Sequence, residues 1–280
     1  MLKTKCDIIL RTCSEVYAVH PHSTYTLDKN SSRMVGPGVP KSEITLRSLY
    51  SLIKTINQAD FDLRLIIIDD HSSKECLENI EKILKICKYP AEIINMETTG
   101  NGASLKTVYD WALKNGRDYL FFIEDDYLHA PTCMSEMLYD HITFQKKLNH
   151  EVALSPCDNP DNYLKQSYSN LPCNIGLGEN RHWRTVTNST STFFCSHEIL
   201  KKYWTYFEVM TNYGKGEKKD EVIVRNKIWE KPFTDGSGAF LLSPIPSLSI
   251  HLQYATEFEE QRSPFINWKE WWNDSDWREN

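Results

Sequence analysis

From Asp7 to Ser155 the chain alternates short apolar segments with amphipathic ones. That order builds a parallel sheet covered by helices, because each crossover between parallel strands needs a helix-sized connection. The strand-like segments are Asp7 to Thr12 (DIILRT), Arg64 to Ile68, Ala91 to Asn95, Asp118 to Ile123 and Val152 to Ser155. Between them, Ser42 offers an N-cap for a helix through Asn57, with Ile44, Leu46, Leu49, Leu52, Ile53 and Ile56 as its apolar faces. Further helices are expected from Glu75 to Cys87, from Ala103 to Asn115 with Gly116 as the stop, and toward Leu148 with Pro131 as first residue. The Pro/Gly/Ser-rich stretch from His20 to Pro40 is too long for an ordinary connection and reads as a lid or mobile loop. Past residue 156 the rhythm changes to short strands (Arg184 to Thr187, Thr192 to Cys195, Ala239 to Leu242, Leu248 to Leu252) and two helices (His197 to Phe207, Asp220 to Ile228). With no repeat and no clear linker, the 280 residues read as one α/β domain: residues 5–155, a second half over 156–262 and a Trp-rich tail over 263–280.

Composition removes several classes. At 40% hydrophobic and 25% charged residues, with 11 Gly and 12 Pro, the chain is neither collagen-like, low-complexity nor wholly disordered. The longest aliphatic runs, Leu65 to Ile68 and Tyr119 to Ile123, are strand-sized, so no transmembrane helix is expected. The start, MLKTKCDIIL, lacks the apolar region of a secretory signal. A net charge of −6 makes duplex nucleic acid a poor partner. The eight cysteines contain no CxxC pair, which reads as reduced thiols in a cytoplasmic setting, and the sequons at Asn30, Asn188 and Asn273 read as chance matches.

The most informative segment is YLFFIEDDYLHAP, residues 119–131, where an apolar strand runs into Glu124, Asp125 and Asp126. Ligands of open α/β sheets bind beyond the carboxyl ends of strands. Carboxylates clustered there repel one another unless a cation neutralises them, and hard oxygen ligands suit Mg2+ or Mn2+ alongside a substrate diphosphate. The alternative is a solvated acidic loop. At the second strand end, Asp69 and Asp70 can accept hydrogen bonds from a base or ribose; alternatively Asp70, Ser72 or Ser73 caps a helix. The Gly100-Asn101-Gly102 turn can bring backbone N–H groups and Lys106 toward phosphate. It does not complete G-x-G-x-x-G, since Leu105 takes the last glycine position, and neither a P-loop nor a G-x-S-x-G elbow is present.

Together, IILRT, IIIDDHSS, GNGASLKTVYDWA and FFIEDDYLHAP resemble the nucleotide-sugar half of a GT-A glycosyltransferase over roughly residues 5–155. The layout is similar to family 2, and the EDD run resembles that of N-acetylglucosaminyltransferases. The resemblance implies a Rossmann-like, mostly parallel central sheet flanked by helices, with a mixed α/β acceptor-side half. It also implies a UDP- or other nucleotide-sugar donor, Mn2+ or Mg2+, and transfer to an acceptor hydroxyl of a glycan, lipid-linked glycan or protein. Asp126 matches the direct metal ligand, Glu124 or Asp125 the acid near ribose and metal waters, and Asp69 and Asp70 the base- and ribose-binding acids. Arg11, Thr12 and Cys13 match the strand-one contact to the base, without the family's Pro-Thr turn, and Lys106 aligns loosely with a basic residue near the diphosphate.

In the second half, GEKKDEVIVRNKIW resembles the helix start that supplies the base of inverting enzymes, which points to Asp220 or Glu221; acids also simply favour a helix N-terminus. His251 stands where many such enzymes place a late metal-binding histidine, against the alternative of a strand histidine with an ordinary hydrogen bond. Trp183 and Arg184 are candidates for stacking on an acceptor sugar and meeting an anion, with core packing as the competing account. Trp268, Trp271 and Trp272 share a helix face that is expected to dock on the domain; an oligomer contact or a peripheral membrane contact is the other use of such a face. Two rivals remain at this level: a sugar-phosphate nucleotidyltransferase, which would release pyrophosphate, and a non-catalytic glycan- or nucleotide-binding protein.

Overall fold

The computed structural model describes residues 4–14, 39–159, 161–164, 172–188, 191–212, 220–252 and 266–279, so of the stretch from His20 to Pro40 only Val39 and Pro40 are described. In chain order the elements are β1 (Lys5–Thr12), α1 (Lys41–Gln58), β2 (Asp62–Asp69), α2 (Lys74–Leu84), β3 (Ala91–Asn95), α3 (Asn101–Asn115) and β4 (Tyr119–Glu124). They continue with β5 (Tyr127–His129), α4 (Cys133–Leu148), β6 (Val152–Leu154), α5 (Asp161–Leu164), β7 (Ile175–Leu177), β8 (His182–Val186) and β9 (Phe193–Ser196). Short helices at His197–Lys202, Trp204–Met210 and Asp220–Val224 follow, then β10 (Phe240–Ile245), β11 (Ser249–His251) and a tail helix, Trp268–Asp274.

The main sheet runs β3-β2-β1-β4-β9-β6-β10-β8-β7. Strands β1 to β4 pair in parallel, as do β6 and β10. Strand β9 runs antiparallel between β4 and β6, and β8 and β7 close the far edge with antiparallel pairs. Consequently β1, β2, β4, β6 and β10 all point the same way, and their carboxyl ends line one edge. Strand alternation divides the core in two: Ile8, Leu10, Phe121 and Ile123 face α1, α2 and α4, while Ile9, Phe122, Val186 and Leu241 face α3 and the helices between His197 and Trp229.

Several boundaries differ from the sequence expectation for identifiable reasons. Helix α1 starts one residue before Ser42, because the chain enters from extended Pro40 (φ −67°, ψ 151°) and Glu43 N–H donates to the Pro40 carbonyl at 3.1 Å. Ser73 is the side chain that caps α2, accepting from Cys76 N–H at 3.2 Å. Pro131 lies two residues before α4 instead of opening it. The expected helix from His197 to Phe207 breaks at Tyr203 (φ −106°, ψ 19°), and the one from Asp220 passes into a π-helix over Arg225–Trp229.

Two short strands carry no local signal, β5 and β7. Strand β5 pairs antiparallel with β11 in a separate two-stranded sheet, setting His251 opposite Tyr127. The tail docks as expected: Trp268, Trp271 and Trp272 pack on Ile44, Leu128, Ile250 and Leu252. Arg47 of α1 ties it down, donating to the Trp272 carbonyl and to Asp276 at 2.8 Å while its guanidinium lies 4.4 Å from the Trp272 ring centroid. No described helix is long and apolar enough to cross a membrane, and all eight cysteines are free of disulfides.

Candidate active site

The carboxyl ends of β1, β2 and β4 converge, and the parallel register decides which side chains meet. Arg11 stands opposite Glu124 in the β1–β4 ladder and donates to its Oε1 at 2.5 Å. The same guanidinium reaches the first turn of α3, donating to the Asn101 carbonyl and to Ser104 Oγ at 3.0 Å each. Thr12 stands opposite Asp69 in the β1–β2 ladder, and its hydroxyl donates to Asp69 Oδ1 at 2.7 Å, while Ser72 N–H donates to Oδ2 at 2.9 Å. With 1% exposure and both oxygens engaged, Asp69 ties the ends of β1 and β2 to the turn at Ser72. Asp70 accepts from Gly100 N–H at 2.9 Å and contacts His71 Nδ1 at 3.0 Å. His71 takes φ +59°, a left-handed turn that reverses the chain directly after this acid.

The three consecutive acids of the β4 end do three different things. Glu124 pairs with Arg11. Asp125 is buried and accepts from Lys41 Nζ, from Thr45 Oγ1 at 2.7 Å and from Cys13 N–H at 2.9 Å. Asp126 Oδ1 lies 3.2 Å from His251 Nε2, and Leu252 N–H donates to the Asp126 carbonyl at 2.7 Å. The His251 ring stacks on Tyr127 with centroids 4.2 Å apart and planes 8° from parallel, so β5 and β11 fix the imidazole as well as its backbone.

Helix α1 supports this turn along a polar stripe. Lys41 and Thr45 hold Asp125, Ser48 Oγ donates to the Tyr127 carbonyl at 2.5 Å, and Ser51 Oγ accepts from His129 N–H at 3.3 Å. Thr55 Oγ1 then accepts from Met134 N–H at 2.8 Å. Steps of three and four residues place these groups on one helix face. Sequence reasoning missed Lys41, Thr45, Ser104 and Tyr127. The polar spacing along α1 is the one signal that could have found the first two.

Other expected residues separate from this cluster. Lys106 is half-exposed on α3 and paired with Asp110 at 2.8 Å. Trp183, the candidate for sugar stacking, has 0% exposure and donates Nε1–H to Asp140 at 2.7 Å, so its ring packs in the core. Arg184 does meet an anion, but an internal one, Asp158, at 2.7 Å. Asp220 and Glu221 open a helix whose Val224 packs in the core beside Leu241. A buried Cys133–His129–Ser249 grouping lies beneath β5, with His129 Nδ1 2.7 Å from Ser249 Oγ. Burial pushes the Cys133 thiol up to about 12 and His129 down to about 3, so neither thiolate nor imidazolium forms near neutral pH.

Among the described residues no three His, Cys, Asp or Glu side chains surround one point. The Asp126–His251 pair nevertheless fits a divalent cation. Two ligands at adjacent corners of an octahedron with bonds of about 2.1 Å stand about 3.0 Å apart, close to the 3.2 Å seen. A carboxylate suits Mg2+ and Mn2+ equally, whereas an imidazole is better matched to Mn2+ than to Mg2+.

Residues 42–204, more than half of the chain, match the family model described as glycosyl transferase family 2. The chain belongs to that family. Its fold is the GT-A fold, seen in two solved neighbours. The TarS fragment 1–349 of S. aureus in complex with UDP-GlcNAc has a TM-score of 0.51 and 13% identity over 96% of this chain and 63% of that one. GalNAc-T7 with UDP, GalNAc and Mn2+ has a TM-score of 0.53 and 12% identity over 91% of this chain and 44% of that one. The chain thus spans less than two thirds of either neighbour. No curated protein matches its sequence. The family match covers the β2 and β4 ends with Asp70, Asp125 and Asp126 but stops short of Arg11 on one side and of Asp220, Glu221 and His251 on the other.

Proposed function

We propose that this family 2 protein is a metal-dependent glycosyltransferase that takes a nucleotide-sugar, with UDP as the favoured nucleotide, and passes the sugar to an acceptor hydroxyl with inversion. The observation that supports this most is the Asp126–His251 pair, 3.2 Å apart, at the carboxyl end of β4. In this reading Asp126 and His251 hold Mn2+ or Mg2+, which when bound neutralises charge on the departing diphosphate. Asp125 faces inward and fixes the turn through Lys41, Thr45 and Cys13. Asp70, Glu124 and the Arg11–Cys13 strand end form the wall for base and ribose. Asp220 or Glu221 removes the proton of the acceptor hydroxyl as the sugar is attacked from the face opposite the leaving group. The whole chain then works as one unit, with donor residues in 5–155, acceptor residues in 156–262 and the tail over 263–280 as a brace. The UDP-GlcNAc complex of the TarS fragment and the UDP complex of GalNAc-T7 support the donor class.

A thermal-shift series with UDP, GDP, CMP and TDP, with and without Mn2+, tests the reading on wild type and Asp126→Asn. At a hundredfold excess over the dissociation constant, binding adds about 2.7 kcal/mol of stability. The expected result is a Mn2+-dependent shift with UDP that Asp126→Asn removes. No shift with any nucleotide would overturn the donor assignment.

A further inference from the structure

The acceptor half contains an aromatic ring held in place by buried charges and open to solvent. Tyr163 of α5 is 49% exposed. Its hydroxyl donates to Asp158 Oδ2 at 2.5 Å, and the Arg184 guanidinium lies 3.9 Å from its ring centroid. Arg184 donates twice to Asp158 Oδ1, at 2.7 and 3.0 Å, and both residues are buried. Asp158 is itself fixed, its N–H donating to Ser247 Oγ at 2.5 Å. An exposed tyrosine ordinarily samples several rotamers. Here one face of the ring rests on a guanidinium and the phenol oxygen is pinned, so one orientation is kept and the opposite face is presented outward.

Position makes this platform relevant to transfer. Asp158 follows β6, whose carboxyl end shares the edge that carries Asp126. Only β9 separates β6 from β4, and Leu154 at the end of β6 is level with Phe121 of β4 through Phe194, two strand spacings or about 10 Å away. Arg184 stands opposite Ser243 on β10 and opposite Ile175 on β7. Directly opposed residues of an antiparallel pair share a face, so Ile175, 65% exposed, lies on the sheet face that carries Arg184. The guanidinium charge is consumed by Asp158, which leaves the platform neutral.

A flat, neutral, preorganised aromatic face suits the C–H face of an uncharged sugar ring, whose hydroxyls remain free for water or polar neighbours. We propose that Tyr163 is an acceptor-binding residue that stacks on a neutral pyranose, with Arg184 and Asp158 as its positioning residues. This rests on the glycosyltransferase reading and assigns it a substrate class, a neutral saccharide acceptor. It also relocates the aromatic contact from buried Trp183 to its neighbour's partner.

The competing account is that Tyr163 merely shields the Arg184–Asp158 pair from water. Saturation-transfer NMR on the full chain with UDP and Mn2+ present throughout separates the two, using the β-methyl glycosides of glucose, galactose, mannose and N-acetylglucosamine as probes. Tyr163→Phe keeps the ring; Tyr163→Leu keeps the cover but loses the flat face. Expected is transfer to the ring protons of at least one glycoside with wild type and Tyr163→Phe, weakened about three- to tenfold in Tyr163→Leu, the range of an aromatic contact. Equal transfer in Tyr163→Leu, or none from any glycoside to wild type while UDP still shows transfer, would overturn the proposal. Absence of the UDP signal from wild type would instead overturn the donor reading on which it rests.

Discussion

At the scale of single residues, adjacency in sequence hides a division of labour. Glu124, Asp125 and Asp126 are indistinguishable as a run of acids, yet each points to a different partner: Arg11, Lys41 with Thr45, and His251. The reason is geometric. Glu124 is still in the ladder, while Asp125 and Asp126 lie in the turn to β5, where successive side chains diverge. Two substitutions therefore have opposite signatures. Asp125→Ala strands a largely buried Lys41 ammonium and leaves two donors unmet, so it is expected to cost about 3–5 kcal/mol of stability. Asp126→Asn, at a more exposed site, is expected to change stability by less than about 1 kcal/mol while abolishing the Mn2+-dependent response to UDP. Urea denaturation without ligand, set beside the thermal-shift series, reads both quantities; equal stability losses in the two variants would contradict the assignment.

At the scale of elements, what the sequence reveals is local and what it conceals is paired at long range. Strand β3 and the end of α3 at Gly116 follow from apolar runs and a turn residue, and the structure reproduces both. The first turn of α3 appears earlier than apolar periodicity suggests, because Asn101 and Ser104 are recruited by Arg11 from another strand. Strand β5 exists only because Ser249, more than a hundred residues later, pairs with His129. Asp126 and His251 were accordingly legible as candidate residue types at strand ends, but the stacking of His251 on Tyr127 was not.

The same packing buries two histidines in neutral form. Burial holds His129 of β5 down to about 3 and His141 of α4 down to about 4, and His141 Nε2 donates to the Val152 carbonyl at 2.7 Å. In the unfolded chain both titrate near 6.5. Their contribution is complete above that value and is lost as pH falls, because the unfolded state takes up protons first. Between pH 7 and pH 5 the two together are expected to remove about 4 kcal/mol of stability, and His141→Gln to shrink that loss by about half. Denaturation curves at the two pH values check this, and an unchanged loss in the variant would exclude His141.

At the scale of the whole molecule, the chain's last described helix closes on an early helix and both bear on the same turn. Arg47 and Glu43 of α1 hold the tail through Asp276 at 2.8 Å and Arg278 at 2.8 Å, and Lys54 donates to the Asp274 carbonyl at 3.1 Å. One turn away on α1, Lys41 and Thr45 hold Asp125. The tail tryptophans also cover Leu128 of β5 and Ile250 of β11, the strands that carry the neighbours of Asp126 and His251 itself. The tail is thus coupled to the proposed metal pair from both sides without touching it. Couplings transmitted through packed elements are commonly worth 0.5–2 kcal/mol, or about two- to thirtyfold in affinity. Removal of residues 267–280 is therefore expected to weaken Mn2+ binding in the presence of UDP within that range, while far-UV circular dichroism stays close to wild type apart from the lost helix. The double substitution Arg47→Met with Arg278→Met should reproduce part of the effect with the tryptophans still present. A lowered melting temperature with unchanged Mn2+ affinity in both variants would reduce the tail to a cover over apolar surface and break the link between the chain's end and its active turn.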